Sequence, residues 1–219
     1  MRIAAVSAAF LIAFASAGAQ ERTANPRILL YYDMEGLSGI DRQEMTSFAH
    51  PEAYKRGREM LTREVNAAIR GLVEGGAGSI RVVDAHASGN SQEPDILLDQ
   101  LDKRAVFEMR ETDFSGYRDM PSAEFDAIVC VGMHARGRTL GFLAHTFTWE
   151  PSWRVNGRDI TETEIIGHFA APYRLPVIMV SGDDVLEKQI AERFPGAEFG
   201  LVKKARGRAT SRVTPAPAS

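Results

Sequence analysis

The sequence predicts an α/β fold, a mainly parallel sheet in three layers with helices on both faces and an active site at the carboxyl ends of the strands. Three observations predict it. Short aliphatic runs of the fully buried strand type recur along the chain, at 28–32, 79–83, 127–131 and 177–180. A long helical pattern separates the first two runs, giving the strand–helix–strand unit that calls for parallel pairing. The runs stop in polar residues able to bind metal, and in open α/β sheets the ligand site lies beyond the carboxyl ends of the strands.

The bounds are consistent with one such domain. The chain has 219 residues, 44% hydrophobic and 25% charged, with a formal net charge of −3. That length holds one full core, and the charge provides no basic footprint for nucleic acid. The single cysteine, Cys130, lies in the apolar run 126–132, so it forms no internal disulfide and reads as a small core residue. The first 19 residues read as an export signal: Arg2 gives the positive start, 3–14 the apolar stretch, and Ala17-Gly18-Ala19 the small-residue cleavage pattern. The stretch is shorter than the ~20 residues of a membrane-spanning helix, so no transmembrane segment is expected after signal removal and the protein is expected in the periplasm or secreted. Residues 20–26 form a spacer, 27–202 the α/β domain and 203–219 a basic, then Pro- and Ala-rich tail without apolar period.

The elements follow in order. Residues 27–33, RILLYYD, form the first strand, and Asp33 and Glu35 arrive where it stops, followed by Gly36 and Gly39. Two carboxylates one residue apart in a tight glycine turn can direct oxygens to one point, although Asp33 alone also suits a turn or helix cap. Residues 51–74 carry Leu61, Val65, Ala68, Ile69 and Leu72 at three- and four-residue intervals, and Gly75 and Gly76 end that helix. A second strand at 79–83 runs into the loop Asp84-Ala85-His86. Residues 96–101 suggest a short helix, 105–109 a short strand, and 111–124 a weakly patterned loop and helix. The strand at 127–131 ends in Gly132-Met133-His134, and Val155-Asn156-Gly157-Arg158 is a hairpin turn of the Asn-Gly type. A helix is expected over 161–173, a strand over 177–180, a helix capped by 181–184 and reaching Phe194, and a last strand at 198–202.

The strand ends carry the chemistry. Asp33, Glu35, Asp84, His86, His134 and Asp183 all follow strands, and imidazole with carboxylate but no thiolate cluster suits zinc first, then manganese or ferrous iron. The set exceeds what one tetrahedral ion with an open position needs, which suits two ions sharing a bridging carboxylate. By spacing alone the same residues also suit an ordinary polar rim.

The segments YDMEGLSG, DAHAS, GMHARG, LAHTF, VNGRDITE and VIMVSGDD, in this order from Arg27 to Lys204, resemble the zinc-dependent D-aminopeptidases of the dipeptide-transport type. The resemblance implies a dinuclear zinc aminopeptidase that removes N-terminal D-residues, such as D-Ala, from short peptides. It implies Asp33 as the carboxylate bridging two zinc ions, Glu35 and His134 on the first ion, and His86 and Glu162 on the second, with Glu164 a nearby competitor for Glu162. It implies His145 as the catalytic histidine. Imidazole beside a metal-activated water is more at home as general base or acid than as nucleophile, so proton transfer is its expected role. Other residues read more blandly: His50 as a helix start, His168 as packing or surface, Arg136 and Arg138 as solvated loop or substrate-carboxylate binders, Asp183 and Asp184 as helix caps, and Asp84 as support for the His86 loop. The family continues past this region into a C-terminal segment tied to ring-like homo-oligomers. The implied ligands precede that segment, so metal binding is expected to stand while assembly is left open. Two other functions fit the same residues: a two-metal phosphoesterase, for which no phosphate cradle is seen, and a metal- or peptide-binding protein without turnover.

Overall fold

The computed structural model describes residues 24–89, 93–112, 114–149 and 153–207, and the backbone of 211–213. The expected signal at 1–19, most of the spacer and most of the tail lie outside the described residues. A seven-stranded sheet forms the centre, its strands being β1 (Arg27–Tyr32), β2 (Ser79–Asp84), β3 (Ala105–Glu108), β4 (Ala127–Val131), β7 (Val177–Asp183), β8 (Glu198–Ala205) and β9 (Ser211–Val213). Their order is β3-β2-β1-β4-β7-β8-β9, parallel throughout except for β9 against β8. β1 is therefore interior, flanked by β2 (Leu30 opposite Val82) and β4 (Leu30 opposite Val129).

Alternation along β1 divides the core. Ile28, Leu30 and Tyr32 face α1 (Pro51–Glu74), whose Leu61, Val65 and Ile69 belong to the same buried cluster. Leu29 and Tyr31 face the other way, into a cluster with Ile165 and Ile166 of α3 (Glu162–Ala170) and Leu186 and Ile190 of α4 (Asp184–Arg193). These are the three expected layers, because successive side chains of a strand leave opposite faces and both faces here are apolar. A short α2 (Ser115–Arg118) is tied to the sheet by the Tyr31 hydroxyl, which donates to the Gly116 carbonyl at 2.9 Å. A small hairpin, β5 (Arg154–Val155) and β6 (Arg158–Asp159), turns on Asn156 and Gly157 at φ 51° and 77°, the pair of positive values that an Asn-Gly turn supplies cheaply. Among the described residues no helix is long and apolar enough to cross a membrane.

Two expectations fail. Residues 96–101 form bends and turns rather than a helix. α1 side chains bond their backbone, Leu97 N–H donating to Thr62 Oγ1 and the Gln100 carbonyl accepting from Asn66 Nδ2, in place of an intrahelical ladder. The tail expected from Lys203 is replaced at its start by strand, since β8 continues to Ala205 and pairs with β9. Lys203, the first residue of the expected tail, is completely buried.

Candidate metal centre

The close joining of β1 and β4 sets the site. Asp33 N–H donates to the Val131 carbonyl at 2.8 Å and Gly36 N–H to the Gly132 carbonyl at 2.7 Å, so the two strand ends deliver their loops to one place. A Cβ on Gly36 would stand 1.9 Å from the Met133 carbonyl oxygen. Close approach to the neighbouring backbone, rather than the tight turn expected from sequence, is what requires glycine there. Gly132 at φ 75° then turns the chain so that His134 reaches back over Asp33.

Six sequence-singled residues converge. Asp33 and Glu35 follow β1, His86 follows β2, His134 follows β4, His145 lies in the loop after it, and Glu162 occupies the first turn of α3. Asp33, Glu35, His134 and Glu162 are each at most 3% exposed. His86 Nδ1 lies 3.1 Å from Asp33 Oδ1 and 3.0 Å from Glu35 Oε2. His134 Nε2 lies 3.3 Å from Asp33 Oδ2 and 3.4 Å from Glu162 Oε1. His145 Nε2 is 3.9 Å from the same Glu162 oxygen, and its ring stacks on His134 with centroids 4.0 Å apart. Asp33 thus faces a histidine with each of its oxygens.

The outer nitrogen of every imidazole is held by a backbone carbonyl: His86 Nε2 by Thr46 at 2.7 Å, His134 Nδ1 by Ala135 at 3.0 Å, and His145 Nδ1 by Leu143 at 2.8 Å. With a metal bound, donation outward would turn each inner nitrogen's lone pair toward it, the arrangement that orients a histidine toward a metal. Asp33 Oδ2 and Glu35 Oε2 are buried with no hydrogen-bond donor. Acceptors facing acceptors at 3.0–3.4 Å need a proton or a cation between them, and the donor set of imidazole and carboxylate fits zinc. Two sets of three donor atoms, Asp33 with Glu35 and His134, and His134 with His145 and Glu162, each lie within 4.8 Å of one another.

Asp33, Glu35 and His134, implied by the resemblance to share an ion, cluster, and further contacts join His86 to Glu35 and Glu162 to His134. The loop after β2 folds over the β1 end, while α3 begins beside the β4 end, and this decides which donors touch.

The field of the centre favours cations. Burial, then the neighbouring Glu35, pushes the Asp33 carboxyl well above its ordinary range. Burial opposes ionisation of Glu35 too, but the adjacent His86 overcomes it and holds that carboxyl well below. At His134, burial works against protonation, yet Glu162 and Asp33 raise its pKa to about 10. His145 behaves oppositely: burial and the His134 charge lower its pKa, which keeps it neutral at neutral pH.

Glu164, the sequence competitor of Glu162, is engaged elsewhere. It closes a capping box with Thr161 and pairs with Arg158 at 2.8 Å and Arg193 at 3.4 Å. Asp183 Oδ1 caps α4 through Val185 and Leu186 N–H, and its Oδ2 accepts from Phe142 N–H. Asp84 accepts from His86 and Ala87 N–H and pairs with Arg110, supporting the loop as expected. His50 starts α1 without a side-chain cap, His168 and Arg138 are exposed, and Cys130 is buried with its thiol pushed up by burial.

Sequence reading missed the aromatic neighbours. The Tyr117 hydroxyl donates to Glu162 Oε2, Phe147 N–H donates to Glu162 Oε1 at 2.8 Å, and Trp149 stacks on His145 with centroids 4.5 Å apart. Phe147 holds φ 56°, a strained value for a bulky residue, and that conformation accompanies the N–H contact to Glu162. The only available signal was a cluster of aromatics, Phe114, Tyr117, Phe147, Trp149 and Trp153, in segments lacking a strand or helix period.

Comparison with known proteins agrees with this geometry. The family model described as D-aminopeptidase matches residues 27–219. A D-aminopeptidase of Bacillus subtilis (strain 168) is 26% identical over 196 residues, covering 88% of this chain and 69% of that protein. A solved structure, described as the Zn-dependent D-aminopeptidase DppA from Bacillus subtilis, a self-compartmentalizing protease, superposes with a TM-score of 0.79 at 25% identity. The match covers 86% of this chain and 67% of that one.

Proposed function

Since this chain belongs to the D-aminopeptidase family and is a zinc-dependent metallo-aminopeptidase, we propose that it removes N-terminal D-residues, D-Ala among them, from short peptides at a dinuclear zinc centre. Asp33, Glu35, His86, His134 and Glu162 would hold the ions, with Asp33 between them. Glu35 would share one ion with His134, a pairing supported by the closeness of Asp33, Glu35 and His134, whose donor atoms lie within 4.8 Å of one another, and His86 and Glu162 would hold the other. The observation that carries this reading is the pair of buried oxygens, Asp33 Oδ2 and Glu35 Oε2, that lack a hydrogen-bond partner and lie against imidazole nitrogens of His134 and His86.

Zinc held there supplies Lewis acidity that polarises a scissile carbonyl and acidifies water. The protein's own groups do the rest. His145, whose burial disfavours its charged form, presents Nε2 beside Glu162 while the Leu143 carbonyl accepts from Nδ1. It accepts the proton of the attacking water and returns it to the departing amine, the role suited to a base near its working pH. Glu162 is kept in place by the Tyr117 hydroxyl and Phe147 N–H, so its carboxylate does not follow the moving proton. A buried acidic cavity suits a free α-amine, which explains preference for a peptide's N-terminus. Export through residues 1–19 would put the protein in the periplasm or outside the cell, where D-Ala-containing cell-wall peptides are available substrates. A homo-oligomer fits the description of the DppA relative as self-compartmentalizing.

The test is turnover of D-Ala and L-Ala p-nitroanilides by zinc-loaded residues 20–219 and by His134→Ala and His145→Ala. D-selective turnover is expected, with both variants inactive and zinc largely retained only in His145→Ala. Faster turnover of the L-substrate would sink the stereochemical assignment.

A further inference from the structure

A cavity of about 250 Å³ opens over the metal centre, and one of its walls is aromatic. Phe114, Tyr117, Phe147 and Trp153 form it as a contiguous set. Tyr117 and Phe147 meet edge to face at 4.9 Å, Phe147 and Trp153 at 5.0 Å, and Phe114 and Phe147 at 5.6 Å. The wall starts at the donors themselves, because Tyr117 and Phe147 both hydrogen-bond Glu162. Trp153 and Phe114 nevertheless remain 45% and 37% exposed. Large apolar rings left open beside buried charge mark a surface that a ligand covers.

We infer that this wall is the subsite for the side chain of the substrate's N-terminal residue, and that it selects small to medium apolar residues and rejects acidic ones. The inference rests on the aminopeptidase reading. An α-amine drawn to the carboxylate-rich end fixes the Cα within reach of the donors, and its side chain then meets Phe147 and Trp153. Among the described residues no lysine or arginine lines the cavity, while Asp33 and Glu162 do. A carboxylate side chain there finds no counter-charge and is repelled. An apolar one covers the rings, and each added methylene in such a pocket is worth roughly 10- to 200-fold in selectivity. The small volume sets the upper size.

The test uses D-Ala, D-Leu and D-Asp amides with the zinc-loaded full chain, with Trp153→Ala, Trp153→Phe and Phe114→Ala, alongside calorimetric binding of D-leucine and D-aspartate. Both truncated positions are partly exposed, and circular dichroism checks that the variants fold. The expected result is kcat/KM highest for D-Leu and at least about a hundredfold lower for D-Asp. Trp153→Ala and Phe114→Ala should each reduce the D-Leu over D-Ala ratio by about tenfold, mostly through KM, and Trp153→Phe should restore it. Turnover with a ranking that neither alanine variant changes would overturn the subsite and leave the function standing. No turnover, with D-leucine binding that is tighter than D-aspartate and lost in Trp153→Ala, would support the subsite and overturn the catalytic reading. Absence of both turnover and binding overturns both.

Discussion

Lys203→Met separates the energetics of the fold from those of the metal centre. Lys203 lies in β8 with no exposed surface, and its ammonium donates to the Glu35 and Ile40 carbonyls at 2.7 and 2.6 Å. It sits 4.4 Å above the Phe142 ring centroid. Burial lowers its pKa from 10.5 to about 8, despite the opposing pull of Glu64, Asp183, Glu35 and Asp41. That gap corresponds to about 3 kcal/mol. Between about pH 8 and 10.5 the unfolded chain holds one more proton than the folded one, so stability gains with rising pH; below pH 8 the cost of the buried charge is present in full. Methionine removes both the charge and the donors. Losing the charge relieves about 3 kcal/mol, while two carbonyls left without donors cost about 1–3 kcal/mol each, so at pH 7 the variant should lie within about 3 kcal/mol of wild type. The difference should then widen by about 3 kcal/mol by pH 10. Urea unfolding of chelated protein at pH 7, 8, 9 and 10 measures it. A difference that stays flat over that range would refute the reasoning.

Other perturbations probe the ends of the strands. Asp33→Asn removes a carboxyl whose charged form is disfavoured by burial and by the neighbouring Glu35. The chelated variant should therefore unfold in urea no more readily than wild type, while zinc retention falls to near zero by elemental analysis. Thr161→Ala deletes the side-chain cap of α3 and should cost about 1 kcal/mol in urea unfolding, with faster zinc loss to a chelator because Glu162 sits in the loosened turn. Gly36→Ala forces a Cβ against the Met133 carbonyl, so a loss of about 3 kcal/mol and a lowered zinc content are expected. Wild-type stability in that variant would show that β1 and β4 are not held as closely as described.

The strands and long helix were legible because their patterns are local. The run RILLYY needs burial on both faces, and the apolar period of Pro51–Glu74 needs one covered stripe. The Asn156-Gly157 hairpin was legible for the same reason. Residues 96–101 were misread because the partners of their backbone lie on α1, more than thirty residues away. Lys203 was misread because a buried ammonium is recognisable only from the carbonyls that meet it. At the site, donor residues at strand ends announced their chemistry. Which donors touch depends on how the β2 loop folds over the β1 end, and no spacing encodes that. Tyr117, Phe147 and Trp153 look like core aromatics until their hydroxyl, N–H and open ring face are placed around Glu162.

The most direct measurement is metal stoichiometry combined with X-ray absorption at the zinc edge, on the purified chain and on Asp33→Ala. A dinuclear centre bridged by Asp33 should give near two zinc per chain and a zinc–zinc scattering path of about 3.5–4 Å, both lost in the variant. One zinc or none, or zinc that survives removal of Asp33 with its neighbour distance intact, would contradict it.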